Sequence, residues 1–215
     1  DWQNQALQQR QLFSQSGCNQ IRLAIDMITD KNYNDYKSYN GYKDLPFYTQ
    51  AEIIHDFTAE FTKLYIDYKS RTRDQMDQAA RSGKQNISEG YLQKSIEGKL
   101  KLLGVARGSL EELLNDYLDY LRQHQLAIWN KEDPRSIIIR KIVYNNYKSY
   151  NDYKIYISKP EEASNAMVIL INQTNQLLDQ KLRWLEEDFI KNGGFRENLL
   201  KKRLEYRRSQ SSSNL

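Results

Sequence analysis

Four stretches of this sequence repeat apolar residues at intervals of three and four, and that spacing constrains the fold more than any other feature. Ile53, Ile54, Phe57, Phe61, Leu64, Tyr65 and Tyr68 make one stripe, predicting a helix over residues 48–68 with Pro46 just ahead of it. From Arg71 to Tyr91 the inward positions are Met76, Ala79, Ala80, Gly83, Ile87 and Gly90. These are mostly small, so a partner helix can come close, although each Gly costs about 1 kcal/mol of helix propensity relative to Ala. A third helix begins after Ser95 as N-cap, with a stripe of Leu100, Leu103, Ala106, Leu110, Leu113, Leu114, Tyr117 and Leu121. The fourth opens on Pro160, Glu161 and Glu162, with Ser158 as its cap, and carries Ala163, Met167, Leu170, Thr174, Leu177, Leu178, Leu185 and Phe189. Asn192, Gly193 and Gly194 end it.

The expected fold is all-α, an antiparallel up-down four-helix bundle with N-terminal and C-terminal helical extensions. A β-sandwich needs a turn signal every few residues, and 9 Gly and 3 Pro cannot supply them. Four segments follow. Residues 1–41 are a polar extension and Tyr/Asn/Lys linker, with a weak helical pattern at Leu12, Phe13, Ile21, Leu23, Ile25 and Met27. Residues 42–130 supply the first three helices, ending in a clasp of Leu126, Ile128 and Trp129. Residues 131–195 hold the long fourth helix, preceded by a β-branched, Tyr-rich stretch over 137–157 that suits helix or strand. Residues 196–215 form a basic helix patterned by Leu199, Leu200 and Leu204, with Ser209 to Leu215 expected to be disordered. The string YKSYN, at Tyr36 to Asn40 and again at Tyr147 to Asn151, carries no apolar face of its own and reads as compositional bias rather than a structural repeat.

Charge and chemistry narrow the function. Mean hydropathy is -0.84, and no apolar run approaches the roughly 20 residues of a membrane span. A lone Cys18 excludes an intramolecular disulfide, and no signal peptide is evident, so a cytoplasmic location is expected. Only His55 and His124 are available, too few for the paired Glu-x-x-His of a di-iron bundle or for a Cys/His zinc site. His124 sits where a helix C-terminus would favour it. The Gly83-Lys84 pair lacks the P-loop glycine five residues earlier, where Gln78 stands. No catalytic constellation, metal site or cofactor is therefore expected.

The net charge of +4 becomes informative only where it is clustered. Arg73, Arg81 and Lys84 fall on one side of the second helix, diluted by Asp74 and Asp77. Lys201, Lys202, Arg203, Arg207 and Arg208 form a denser group near the C-terminus. Both are candidate phosphate contacts, against the ordinary reading of a charge run as a solvated helix end. Asn86, Glu89 and Arg107 are candidates for a polar network fixing helix register, with Glu89 reaching Arg81 or Arg107.

The strings TRDQMDQAARSGKQNISEG at Thr72 to Gly90 and ARGSLEELLNDYLDYL at Ala106 to Leu121 resemble the bacterial four-helix-bundle proteins found as open reading frames in intervening sequences of 23S ribosomal RNA genes. PEEASNAMVILINQTNQLLDQKLRWLEEDFIKNGGF, from Pro160 to Phe195, is similar to the variant with a C-terminal suffix. A related bundle is the accessory variability determinant of diversity-generating retroelements, a basic pentamer that works with a reverse transcriptase. The resemblance implies a non-enzymatic homo-oligomer that handles RNA or DNA, with a reverse transcriptase or another protein as partner and no membrane. The alternative is a protein-protein scaffold anchored by Trp129, Trp184 and a Tyr-rich surface.

Overall fold

The computed structural model describes residues 41–143 and 149–212, and every regular element among them is helical. After a short 3-10 turn at Gly41–Asp44 come α1 (Pro46–Tyr65), α2 (Arg71–Leu92), α3 (Ile96–Gln123), α4 (Pro134–Ile142), α5 (Tyr150–Lys154), α6 (Pro160–Asn192) and α7 (Phe195–Ser212). The expectations for residues 1–40, including the first YKSYN string, lie outside the described residues.

Local chemistry sets the helix starts. Ser70 Oγ accepts from the Thr72 N–H at 3.2 Å, Ser95 Oγ from Gly98 at 3.0 Å and Asp133 from Arg135 at 2.9 Å, each satisfying a donor that the first turn leaves orphaned. The expected capping role of Ser158 is not found. Pro160 occupies N1, which places the cap at Lys159, and no side chain caps there. At the other end of the chain, α7 continues to Ser212, so the Ser-rich stretch expected to be disordered from Ser209 is helical through that point. Ser209 Oγ donates to the Tyr206 carbonyl at 2.8 Å.

α1 packs on α2 and α6, and α3 packs on the same two helices. Paired residues give the directions. Between α1 and α2, Thr62 donates to Asp77 at 2.8 Å and Lys84 Nζ lies 3.4 Å from His55. Between α2 and α3, Ser82 meets Ser109 at 2.9 Å, and Gly83 and Gly90 face Leu110 and Leu103. Between α3 and α6, Arg107 pairs with Asp179 at 3.0 Å and Asn175 donates to Glu111 at 3.1 Å. In each of these three pairs residue numbers rise on one helix as they fall on the other. One hydrophobic core joins all four, from Phe47 to Leu185, and contains Phe61 with its ring tilted against Tyr117 at 4.9 Å and edge-on to Tyr120 at 5.0 Å. The long fourth helix is therefore part of the same core as the first three.

The connection from α3 to α6 goes out along one helix and comes back along another. Trp129 turns inward, its Nε1 donating to Glu161 at 2.9 Å, its backbone N–H to Asn165 at 2.9 Å, and the Arg135 guanidinium covering its ring at 3.9 Å. The expected clasp forms from Trp129 and half-buried Leu126, whereas Ile128 is exposed. α4 then lies along α6, where Gln173 donates to the Arg140 carbonyl at 3.2 Å. The stretch read as helix or strand contains two short helices. α5 rests on α1 through Tyr150, whose ring meets Phe57 and whose hydroxyl donates to Glu60. Of the second YKSYN string, Tyr147 and Lys148 lie outside the described residues, Tyr150 contributes packing, and Ser149 forms a capping box with Asp152. No helix among the described residues is long and apolar enough to cross a membrane.

Candidate nucleic-acid interface

Among the described residues α7 stands apart from the bundle helices. It packs along none of the other helices, and residues 199–210 are all exposed, including Leu199, Leu200, Leu204 and Tyr206. Its departure from α6 is built by a tight elbow. Gly193 takes φ +74°, a left-handed value that favours glycine, and returns its N–H to the Phe189 carbonyl at 2.9 Å. The Gly194 N–H donates to Glu197 at 3.0 Å, and Asn198 Nδ2 donates to the carbonyls of Asn192 and Gly193 at 3.1 Å and 3.3 Å. A Cβ on Gly194 would lie 2.5 Å from a Glu97 carboxylate oxygen and 2.8 Å from the Phe189 ring, so the elbow is also pressed against the start of α3.

Charge concentrates on this helix. α7 holds six Lys and Arg against two Glu, a surplus of four that equals the +4 of the entire chain. Lys201, Lys202, Arg203, Arg207 and Arg208 are all exposed, as is Arg196 at the base. Such a cluster attracts a polyanion at short range, and the attraction weakens as salt screens it.

The second-helix cations do not join that cluster. Arg73 is half-buried, Arg81 is exposed, and Lys84 is half-buried against His55 of α1. Asp77 lies between Arg73 and Arg81 on the same side and accepts the Thr62 hydroxyl, so this side is a mixed seam against α1. Beside it, a groove of about 440 Å³ between α2 and α3 is lined by Arg71 together with Asp74 and Glu112, and otherwise by uncharged side chains such as Gln75, Gln78, Ser82 and Ser109. Its charge is not that of a phosphate cradle.

Asn86, Glu89 and Arg107 do not form one network. Asn86 donates to the Ser82 carbonyl at 2.9 Å and hydroxyl at 3.1 Å on its own helix. Arg107 faces α6, bound to Asp179 at 3.0 Å and Glu111 at 2.6 Å. Glu89 is exposed and pairs with neither Arg81 nor Arg107. The reason is rotational, since Asn86 and Ser82 face the α2/α3 seam while Arg107 points to the other side of α3.

Two charged positions escaped sequence reading. Lys181, only 5% exposed, lies with its Nζ 3.8 Å above the Trp184 ring. Burial pushes its ammonium down to about 8, aided by nearby Lys99 and opposed by Asp188. A signal was present, because Thr174, Leu178, Lys181 and Leu185 share the stripe spacing. On α3, burial pushes the Asp116 carboxyl up to about 6, with Glu112 and Asp119 adding to the rise. No group of three or more His, Cys, Asp or Glu capable of holding a metal occurs among the described residues. His124 Nδ1 lies 2.9 Å from the Tyr120 carbonyl, and its ring stacks on Tyr120.

The scaffold anchors also look different in place. Trp129 is buried by the chain's own Arg135, Glu161 and Asn165, and Trp184 is half-covered by Lys181. Comparison with protein-family models, with curated proteins and with solved structures finds no match to this chain.

Proposed function

We propose that this protein is a non-enzymatic, homo-oligomeric four-helix bundle that binds the backbone of RNA or DNA through α7, acting as an accessory to a nucleic-acid enzyme such as a reverse transcriptase. In this reading α1, α2, α3 and α6 form an antiparallel up-down bundle, supported by their closed ring of neighbour contacts and opposite residue order. The carrying observation is α7 itself, an exposed helix that packs along none of the other described helices and holds six basic side chains against two acidic ones. An isolated helix of this length is marginal in water, so an external partner is the simplest source of its stability. Homo-oligomerisation rests on the resemblance of Thr72 to Gly90, Ala106 to Leu121 and Pro160 to Phe195 to the intervening-sequence bundles, and it would multiply the basic arms by symmetry. Arg73, Arg81 and Lys84 contribute less than the arm, since Asp77 and His55 sit among them.

The test is solution mass by light scattering coupled to size exclusion, with and without RNA, at low and moderate salt. The expected result is a discrete oligomer that shifts with RNA and loses the shift as salt rises. A discrete oligomer indifferent to RNA and DNA would overturn the binding role. The second reading, a protein-protein scaffold, is favoured by the exposed Phe195, Leu199, Leu200, Leu204 and Tyr206 on the same helix. It predicts partner capture that survives charge reversal of Lys201, Lys202 and Arg203 and is lost on Leu200→Asp/Leu204→Asp.

A further inference from the structure

We infer that α7 is a groove-reading helix for B-form duplex DNA rather than a general polycation, a conclusion that rests on the nucleic-acid role proposed above and specifies its ligand. The basis is how the side chains are arranged around the helix. At about 100° per residue, Arg196, Arg203 and Arg207 fall within roughly 40° of one another and make a single arginine ridge. Leu199 lies on one side of that ridge with Lys202 beyond it, and Leu200 and Leu204 lie on the other with Lys201 and Arg208 beyond them. Glu205 points nearly opposite the ridge. Cations therefore occupy the centre and both flanks; of the two acidic side chains Glu205 faces away, while Glu197 lies on the Arg208 flank and accepts the Gly194 N–H at the elbow.

That order matches the cross-section of a duplex major groove, which is wide enough to admit one α-helix. The ridge would face the floor, where the guanine O6 and N7 acceptors are suited to bidentate arginine, and the two flanks would reach the phosphates of opposite strands. The leucines between them are placed to meet thymine methyl groups and sugars. α7 spans about 27 Å, somewhat less than one turn of duplex. The major groove of A-form RNA is too deep and narrow for side chains to read. A single strand needs only stacking surfaces and unpatterned charge, and neither calls for an acidic side opposite an arginine ridge. The unpacked helix also leaves clearance, because α7 shares no flank with α1 to α6 that would block entry into a groove.

Fluorescence anisotropy with the full chain tests this at about 100 mM salt, using three probes: a 20-base-pair mixed-sequence duplex DNA, one of its single strands, and the corresponding duplex RNA. The expected result is duplex DNA bound at least about 10-fold tighter than either of the others. Leu204→Pro keeps every charge and breaks the helix, so it should erase that preference while changing single-strand binding less than about two-fold. Thermal unfolding of the variant should match the wild type, since Leu204 is exposed on a helix that packs along none of α1 to α6. Equal or tighter binding of single strand or duplex RNA, or an undiminished duplex preference in Leu204→Pro, would overturn groove reading while leaving the nucleic-acid role intact. Failure to bind any of the three probes would overturn both.

Discussion

Gly83→Ala is the sharpest probe of how closely α2 and α3 approach. An alanine Cβ there would lie 2.8 Å from Leu110 Cδ2 and 2.9 Å from its Cγ, inside van der Waals contact. Leu110 is fully buried, so in a close-packed interior the added methyl must shift its side chain, at the cost of a poor rotamer, or push the two helices apart. Overpacking of this kind costs about 1–3 kcal/mol, while replacing a mid-helix glycine returns about 1 kcal/mol of propensity. The net expectation is anything from no change to a destabilisation of about 2 kcal/mol. Gly104 and Gly108 on α3 are the controls, because a Cβ at either meets nothing within 4 Å. Each should gain close to 1 kcal/mol on substitution by alanine. For a chain of this size that separates the variants by several degrees in Tm, at roughly 2–4 °C per kcal/mol. Urea unfolding with a common m-value would give the free energies directly. If Gly83→Ala raised Tm as much as Gly104→Ala, the close α2/α3 contact would be wrong.

Three further substitutions address charge and burial. Asp116→Asn should stabilise the protein near neutral pH by about 1 kcal/mol, a value discounted for its partial exposure. The native carboxyl, raised to about 6, costs stability as pH climbs from about 4 to 6, and pH-dependent urea melts should lose that decline in the variant. For Lys181 the sign reverses, because an ammonium lowered to about 8 makes native stability rise as pH increases from 8 toward its unfolded value. Lys181→Met should remove most of that alkaline rise, of order 2 kcal/mol, and a rise of undiminished size would contradict the burial. Trp129→Ala should cost about 3–5 kcal/mol in thermal or urea unfolding, since it empties a buried clasp, and a near-neutral effect would return Trp129 to the surface as a partner anchor.

The helices of this protein are legible because their stripes are local. Ile53 to Phe61, Leu103 to Leu121 and Met167 to Leu185 repeat at helical spacing, and Ser95 and Gly193 mark ends where they occur. Residues 137–157 are harder to read, since β-branched side chains fit helix or strand, and what decides between them is tertiary contact of Tyr150 and Tyr153 with α1. Side-chain partners were less accessible. Arg107 meets Asp179 across 72 positions, a pairing set by the rotation of α3 against α6, which spacing within one helix does not encode. Lys181 was passed over for a similar reason. Its position obeys the apolar stripe, but its residue type suggests a surface, and only the Trp184 ring and the neighbouring helices bury it. The density of basic residues in α7 is plain in the sequence, whereas the exposure of that helix, which packs along none of α1 to α6, is a property of the packing.

The most direct test of the binding account is the salt dependence of nucleic-acid affinity for the full chain and for Lys201→Glu/Lys202→Glu/Arg203→Glu, measured on one duplex from about 50 to 200 mM salt. Each phosphate contact contributes roughly 0.9 to the slope of log affinity against log salt. The account predicts a wild-type slope of about 4 or more, falling by at least 2 in the variant, with the bundle's melting unchanged. Equal slopes in the two proteins, or no measurable affinity in either, would contradict α7 as the binding element.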